Sequence, residues 1–192
     1  MTKKKSMPQR GRRIGKDAWI EAARDALVSG GLEAVKVERI AKTMNATRAA
    51  FYWHFESREH LLRELLDFWK RESTKAYDET AAAADHNGAA ELEMMNNLWR
   101  DDKDFDPQFD AAMRDWARVD KKASRIVKQV DQKRIDALQE MFLDLGYDHR
   151  EALVRARIAF MQQVGYYTMG IKESRKARRE LAPIYLKVLR GR

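Results

Sequence analysis

The chain has 192 residues, 35% of them charged, a formal net charge of +8 and no cysteine. That length bounds it to one sizeable domain or two small ones sharing a helical core, and the missing cysteine excludes disulfides, thiolate metal sites and cysteine nucleophiles. The positive balance favours a polyanionic partner, and no apolar run approaches the length needed to cross a bilayer.

The charge is unevenly placed. Lys3, Lys4, Lys5, Arg10, Arg12, Arg13 and Lys16 precede the first acidic residue, Asp17, with Pro8, Gly11 and Gly15 among them. Residues 1–15 therefore read as a basic arm, expected to be disordered when free, either a solubilising tail or a functional element. The stretch "QRGRRIGKDAW" (9–19) that follows the first lysines is not the apolar core of a signal peptide, which leads to the expectation of a cytoplasmic protein without membrane attachment.

Almost every later segment carries helical periodicity, and none alternates as a strand would. A first helix is expected over Lys16–Ser29, with Trp19, Ala23, Ala26 and Leu27 on one face and Gly30-Gly31 as its stop. Val37, Ile40, Ala41 and Met44 fall at i, i+3, i+4 and i+7, giving a short second helix one apolar stripe wide. Asn45 tolerates the left-handed backbone that ends a helix, and Thr47 is a good N-cap for the third, Arg48–His54. Ser57 caps a long fourth helix bearing Leu61, Leu62, Leu65, Leu66, Phe68 and Trp69. Beyond the breaks at 81–90 and 101–107, further helices are expected near 89–100, 107–118, 121–145, 148–172 and 174–189, the last bent or delayed by Pro183. The fold class is all-α with about nine helices.

Two short helices joined by a tight turn, the second outwardly carrying Arg, Tyr, Trp and His, meet the requirements of a DNA-reading element. Ala49 and Ala50 keep the tip thin enough for the major groove. Thr47 can donate to a phosphate from the helix start, where free amides already favour an anion. Tyr52 offers a hydroxyl on a rigid ring, and Lys36 and Arg58 offer charge from the flanks. Arg48 is the candidate for base contact, because a guanidinium can bond guanine O6 and N7 together. Phe51 and Phe55, four apart, read as core. Trp53 can equally pack on the first helix or lie over the sugar–phosphate backbone. His54 reads as a structural hydrogen-bonder or phosphate contact rather than a metal ligand, since no second ligand stands at suitable spacing.

The stretch "GLEAVKVERIAKTMNATRAAFYWHFESREHLL" is similar to the signature of TetR-type transcriptional regulators, from Gly31 through Ile40-Ala41 to Phe51-Tyr52, His54-Phe55 and Leu61. The resemblance covers about residues 16–66, the first third of the chain. It departs from the usual pattern at Lys36 (for a capping Thr), Asn45 (for a turn glycine) and Arg58 (for Lys), all physically tolerable. The resemblance implies a helix-turn-helix DNA-binding domain over residues 16–60 and a ligand-binding and dimerisation bundle over 61–192. It also implies a homodimer on double-stranded operator DNA, built from the last two long helices, and a small-molecule effector that shifts the fourth helix and releases the operator, the usual outcome being repression.

Independent support in the carboxy-terminal two thirds is slight. Ala152, Ala156, Ala159 and Gln163 lie along one line, with Gly170 beyond, so a partner helix is expected to approach that face closely. Trp99, Phe109, Met113, Trp116, Gln163 and Tyr167 are the candidate lining of a cavity for a partly apolar ligand. Gln162 and Gln163 can serve either a dimer contact or a ligand. An all-α metal enzyme would need Glu-x-x-His pairs, and none occurs; nor does a P-loop or dinucleotide glycine motif. No catalytic residue, metal or cofactor is therefore expected. Two alternatives remain: the same DNA-binding dimer with no small-molecule effector, and non-specific nucleic-acid binding through the basic arm, which would depend steeply on salt.

Overall fold

A computed structural model describes residues 14–83, 87–101 and 106–191; residues 1–13, most of the expected basic arm, lie outside them. The described residues form nine α-helices and one 3-10 turn, with no strand among them. The helices are α1 (Lys16–Gly30), α2 (Val37–Thr43), α3 (Arg48–Tyr52), α4 (Arg58–Ala83), α5 (Gly88–Asp101), α6 (Pro107–Val119), α7 (Lys121–Asp144), α8 (His149–Thr168) and α9 (Arg175–Arg190). No described helix is long and apolar enough to cross a membrane. The chain divides into two compact units between Leu62 and Arg63, a point inside α4.

In the amino-terminal unit α1 buries Trp19, Ile20, Ala23 and Leu27. It ends at Gly30, one residue beyond the expected Ser29 and within the expected Gly30-Gly31 stop, and its C-cap Gly31 has a φ of 68° and a ψ of −172° that are open only to glycine. The Gly31 N–H donates to the Leu27 carbonyl at 2.8 Å, closing the last turn. A 3-10 turn, Leu32–Ala34, then leads to α2, which buries Val37, Ile40 and Ala41. Three residues are too few to show a period, so this turn was not visible in the sequence. The fully buried Phe51 of α3 meets Trp19 edge-on, with centroids 5.4 Å apart, and stacks on Phe55 at 5.1 Å. These rings join α1, α3 and the segment that leads into α4.

In the carboxy-terminal unit α7 packs against α5, α6 and α8. Its core gathers Tyr77, Leu92, Met95, Leu138, Met141, Phe142 and Phe160 with Ala152, Ala156 and Ala159. The three alanines, expected to face a partner chain, are instead turned into the unit's own core, and Gln163, open in the sequence to a dimer contact or a ligand, is buried on the same side of α8. Small side chains on α8 let it approach its neighbours within the unit, the same close approach that the pattern suggested for a second chain. At the start of α5, Gly88 lies so close to α7 that an added Cβ would stand 2.1 Å from the Met141 carbonyl oxygen.

Two expected boundaries differ. α8 ends at Thr168 rather than 172, because Gly170 takes a left-handed φ of 61°. α9 continues through Pro183, whose ring lies on the exposed side and therefore displaces no packed neighbour.

An ionic network crosses this unit. Arg134, only 1% exposed, donates from Nη1 to Asp110 Oδ1 at 3.0 Å and from Nε to the Ser73 carbonyl at 3.1 Å. Arg114 donates to Asp110 Oδ2 and, through both terminal nitrogens, to Asp131, each at 2.8 Å. Burial opposes the charge on Arg114, but Asp131 and Asp110 together outweigh it and hold the guanidinium above its ordinary range. The Arg134 guanidinium also stands 5.7 Å from the Trp69 ring centroid and 5.9 Å from that of Tyr77. Helices α4, α6 and α7 are thus tied together by charge as well as by packing.

Candidate nucleic-acid interface

The turn between α2 and α3 is built by backbone hydrogen bonds. The Met44 N–H donates to Ile40, that of Asn45 to Lys42, and that of Ala46 back to Ala41 at 2.8 Å. Asn45 adopts a φ of 51°, the left-handed conformation that a short-chain amide tolerates. Thr47 then caps α3, its hydroxyl oxygen accepting from the Ala50 N–H at 3.1 Å. The hydroxyl proton remains for an outside acceptor.

With Phe51 turned inward, α3 presents Arg48, Ala49 and Tyr52 to solvent, and Trp53 follows at 82% exposure. Of the two placements open to Trp53 in the sequence, the structure therefore shows the exposed one. Arg48 is paired with Glu38 of α2 at 3.2 Å, both side chains being well exposed. Its guanidinium is held further into the charged state, first by a hydrogen bond with Tyr52 and then by Glu38. An exposed pair of this kind is weakly held and can be exchanged for a DNA group. Glu38 is the acidic residue that sequence reasoning missed: it lies ten positions from Arg48, and only the turn brings the two together. Lys36 occupies the N-cap of α2 without a side-chain cap bond and is exposed.

Arg58, read in the sequence as charge for a phosphate, is differently employed, and His54 takes the structural hydrogen bond that was one of its two readings. Arg58 donates from Nε to the Val35 carbonyl at 2.6 Å and from Nη2 to the Leu32 carbonyl at 2.9 Å. It clamps the start of α4 onto the 3-10 turn rather than projecting outward. The half-buried His54 ring places Nε2 2.9 Å from the Ile14 carbonyl oxygen, so in the donating tautomer it fixes the start of the described chain beside the end of α3. All three bonds reach across 20 residues or more of sequence, a distance at which spacing carries no signal.

The six residues expected around a ligand also separate. Phe109, Met113 and Trp116 are buried on α6, and the side chain of Trp99 lies outside the described residues. Gln163 and Tyr167 come together in a partly open cleft, where Asn96, Gln162, Tyr166 and Tyr185 join them from α5, α8 and α9. Among the described residues no group of three or more His, Asp or Glu side chains is placed to hold a metal ion.

Residues 20–65 match the profile of bacterial regulatory proteins of the tetR family. In fold the chain is similar to the fatty acid degradation regulator FadR from Bacillus halodurans, with a TM-score of 0.62 at 16% identity, over 98% of this chain and 97% of that one. No curated protein matches the chain by sequence.

Proposed function

We propose that this chain, a DNA-binding transcriptional regulator whose residues 20–65 belong to the tetR family, reads a pseudo-palindromic operator as a homodimer and releases it on binding a small molecule, acting as a repressor. The observation that carries the reading is the outer surface of α3. Its single buried ring leaves Arg48, Ala49, Tyr52 and the adjoining Trp53 exposed on a rigid helix-turn-helix. In this reading Arg48 exchanges Glu38 for a guanine edge, while Thr47, Tyr52 and Lys36 hold phosphates and Trp53 lies along the backbone. Ala49 lets the helix enter the groove, and Arg58 and His54 position the unit without themselves carrying the recognition.

The homodimer is supported by an apolar stripe on the side of α8 facing away from its core alanines. Val154, Ile158 and Met161 follow one another at i, i+4 and i+7, and all are more than half exposed. On α9, Ile184 and Val188 are exposed as well. Such a surface, on helices otherwise rich in charge, suits a second copy of the chain. Two reading units related by a two-fold axis then require an operator with the same symmetry.

The recognition roles are separable by substitution. Arg48→Ala is expected to relax preference at one position in each half-site, weakening the preferred sequence by about 1–3 kcal/mol. Tyr52→Phe is expected to weaken all sequences alike, because a phosphate contact carries no base identity. Binding measured by fluorescence anisotropy on operators varied one base pair at a time distinguishes the two. Unchanged preference in Arg48→Ala removes that residue from base reading.

A further inference from the structure

We propose that the cleft between α5, α8 and α9 binds an uncharged, planar molecule that presents an N–H donor to Oε1 of Gln163, and that this molecule is the effector. The second half rests on the regulator reading above; the first stands without it.

Gln163 is the starting point. It is 3% exposed, yet its Oε1 accepts no hydrogen bond from a described residue. An amide oxygen taken out of water without a donor carries its full desolvation penalty, so buried amides normally have a partner. The neighbouring inward positions of α8 are Ala152, Ala156 and Ala159, and an apolar residue at 163 would have continued that face at no such penalty. The glutamine departs from the face at the point where the helix borders the cleft.

The remaining walls narrow the chemistry. Tyr166 and Tyr167 meet edge to face with centroids 5.4 Å apart, and Tyr185 contributes a third phenol from α9. The Tyr166 hydroxyl donates to Glu173 at 3.3 Å, tying the end of α8 to the segment before α9. Aromatic side chains interleaved with the amides of Asn96 and Gln162 suit a flat, polar ring system. Glu173 and Arg178 add one negative and one positive charge to the wall. Their fields oppose each other, so neither a net anion nor a net cation is favoured. What is left is a neutral planar molecule, and the orphan acceptor asks it for an N–H.

The position also suggests how occupancy would be felt. At 100° per residue, Gln163 lies on the opposite side of α8 from Val154, Ile158 and Met161. A ligand and a partner chain would therefore address the two sides of one helix, and a displacement of α8 or α9 on one side alters the surface offered on the other.

The test uses the full chain and four small probes: N-methylbenzamide, methyl benzoate, benzoate and benzamidine. The first two are near-isosteric and planar, but only the amide has an N–H. Titrations followed by protein NMR are expected to show N-methylbenzamide binding about tenfold more tightly than methyl benzoate, the size of one hydrogen bond, with both charged probes weaker than the amide. Gln163→Met, which keeps the volume and removes the acceptor, should abolish the preference for the amide. Tyr185→Ala, at the exposed edge of the cleft, should weaken both neutral probes without touching the core. Equal affinity for amide and ester, a preference surviving in Gln163→Met, or no binding by any probe would overturn the site. N-methylbenzamide bound through Gln163 with no change in operator affinity would overturn the effector role while the DNA-reading surface stands.

Discussion

Asp110→Ala is expected to destabilise the carboxy-terminal unit by about 3–5 kcal/mol, the range found when one partner of a buried ion pair is removed. The size follows from what is left behind. Arg134 is 1% exposed, and Asp110 is a carboxylate partner at 3.0 Å. Without it the buried guanidinium loses that charge, while its bond to the Ser73 carbonyl and its place beside the rings of Trp69 and Tyr77 remain. Arg114 fares better, since its two bonds to Asp131 persist. Replacing both partners, as in Asp110→Leu with Arg134→Met, is expected to restore most of the loss, because an apolar pair neither needs nor wastes solvation. Urea denaturation followed by circular dichroism, run as a double-mutant cycle, reads the coupling. A loss below about 1 kcal/mol in Asp110→Ala would mean that the pair behaves like an exposed one and does not tie α4 to α6 and α7.

Ile158→Glu is expected to leave the chain a monomer in place of the proposed homodimer and to lower operator affinity by about a hundredfold or more, since a second half-site held on the same particle contributes through effective concentration. Ile158 sits at the middle of the exposed stripe on α8. A carboxylate there must either be buried against its symmetry mate or keep the two chains apart, and like charges across a two-fold axis meet each other. In the isolated unit the position is half exposed, so the substitution should leave helix content and melting of the monomer almost unchanged. Sedimentation velocity gives the state of assembly, and anisotropy on a full operator and on a half-site gives the affinities. A dimer that persists in Ile158→Glu would place the interface elsewhere on the chain.

The amino-terminal unit was the more legible in sequence, for reasons that particular residues make clear. Ile40, Ala41, Asn45, Thr47 and Phe51 each have a local cause for being where they are: a helical period, a left-handed turn, a cap, an inward ring. What local patterns did not disclose was the use of long polar side chains. Arg58 reads as a phosphate contact until its two carbonyl acceptors are seen, and Arg48 shows no sign of Glu38 until the turn is folded. In the carboxy-terminal unit the long helices were legible from periodicity, but the direction of α8 was not. A line of alanines signals close approach without saying to what, and the larger Val154, Ile158 and Met161 were left exposed on the other side. The pairing of Asp110 with Arg134, 24 positions apart, is invisible to any window shorter than two helices. Tyr167 and Gln163 are two of six residues whose size or polarity suits a cavity, and the cleft that joins them depends on Tyr185 and Asn96 from other helices.

The central claim is that α3 reads base sequence as one half of a symmetric pair, and selection of bound sequences from random duplex DNA at near-physiological salt tests it most directly. A single pseudo-palindrome, with two equivalent half-sites at fixed spacing, is the expected result. Recovery of no motif, with binding that falls steeply with salt and disappears only when residues 1–15 are deleted, would contradict it and make the basic arm the binding element.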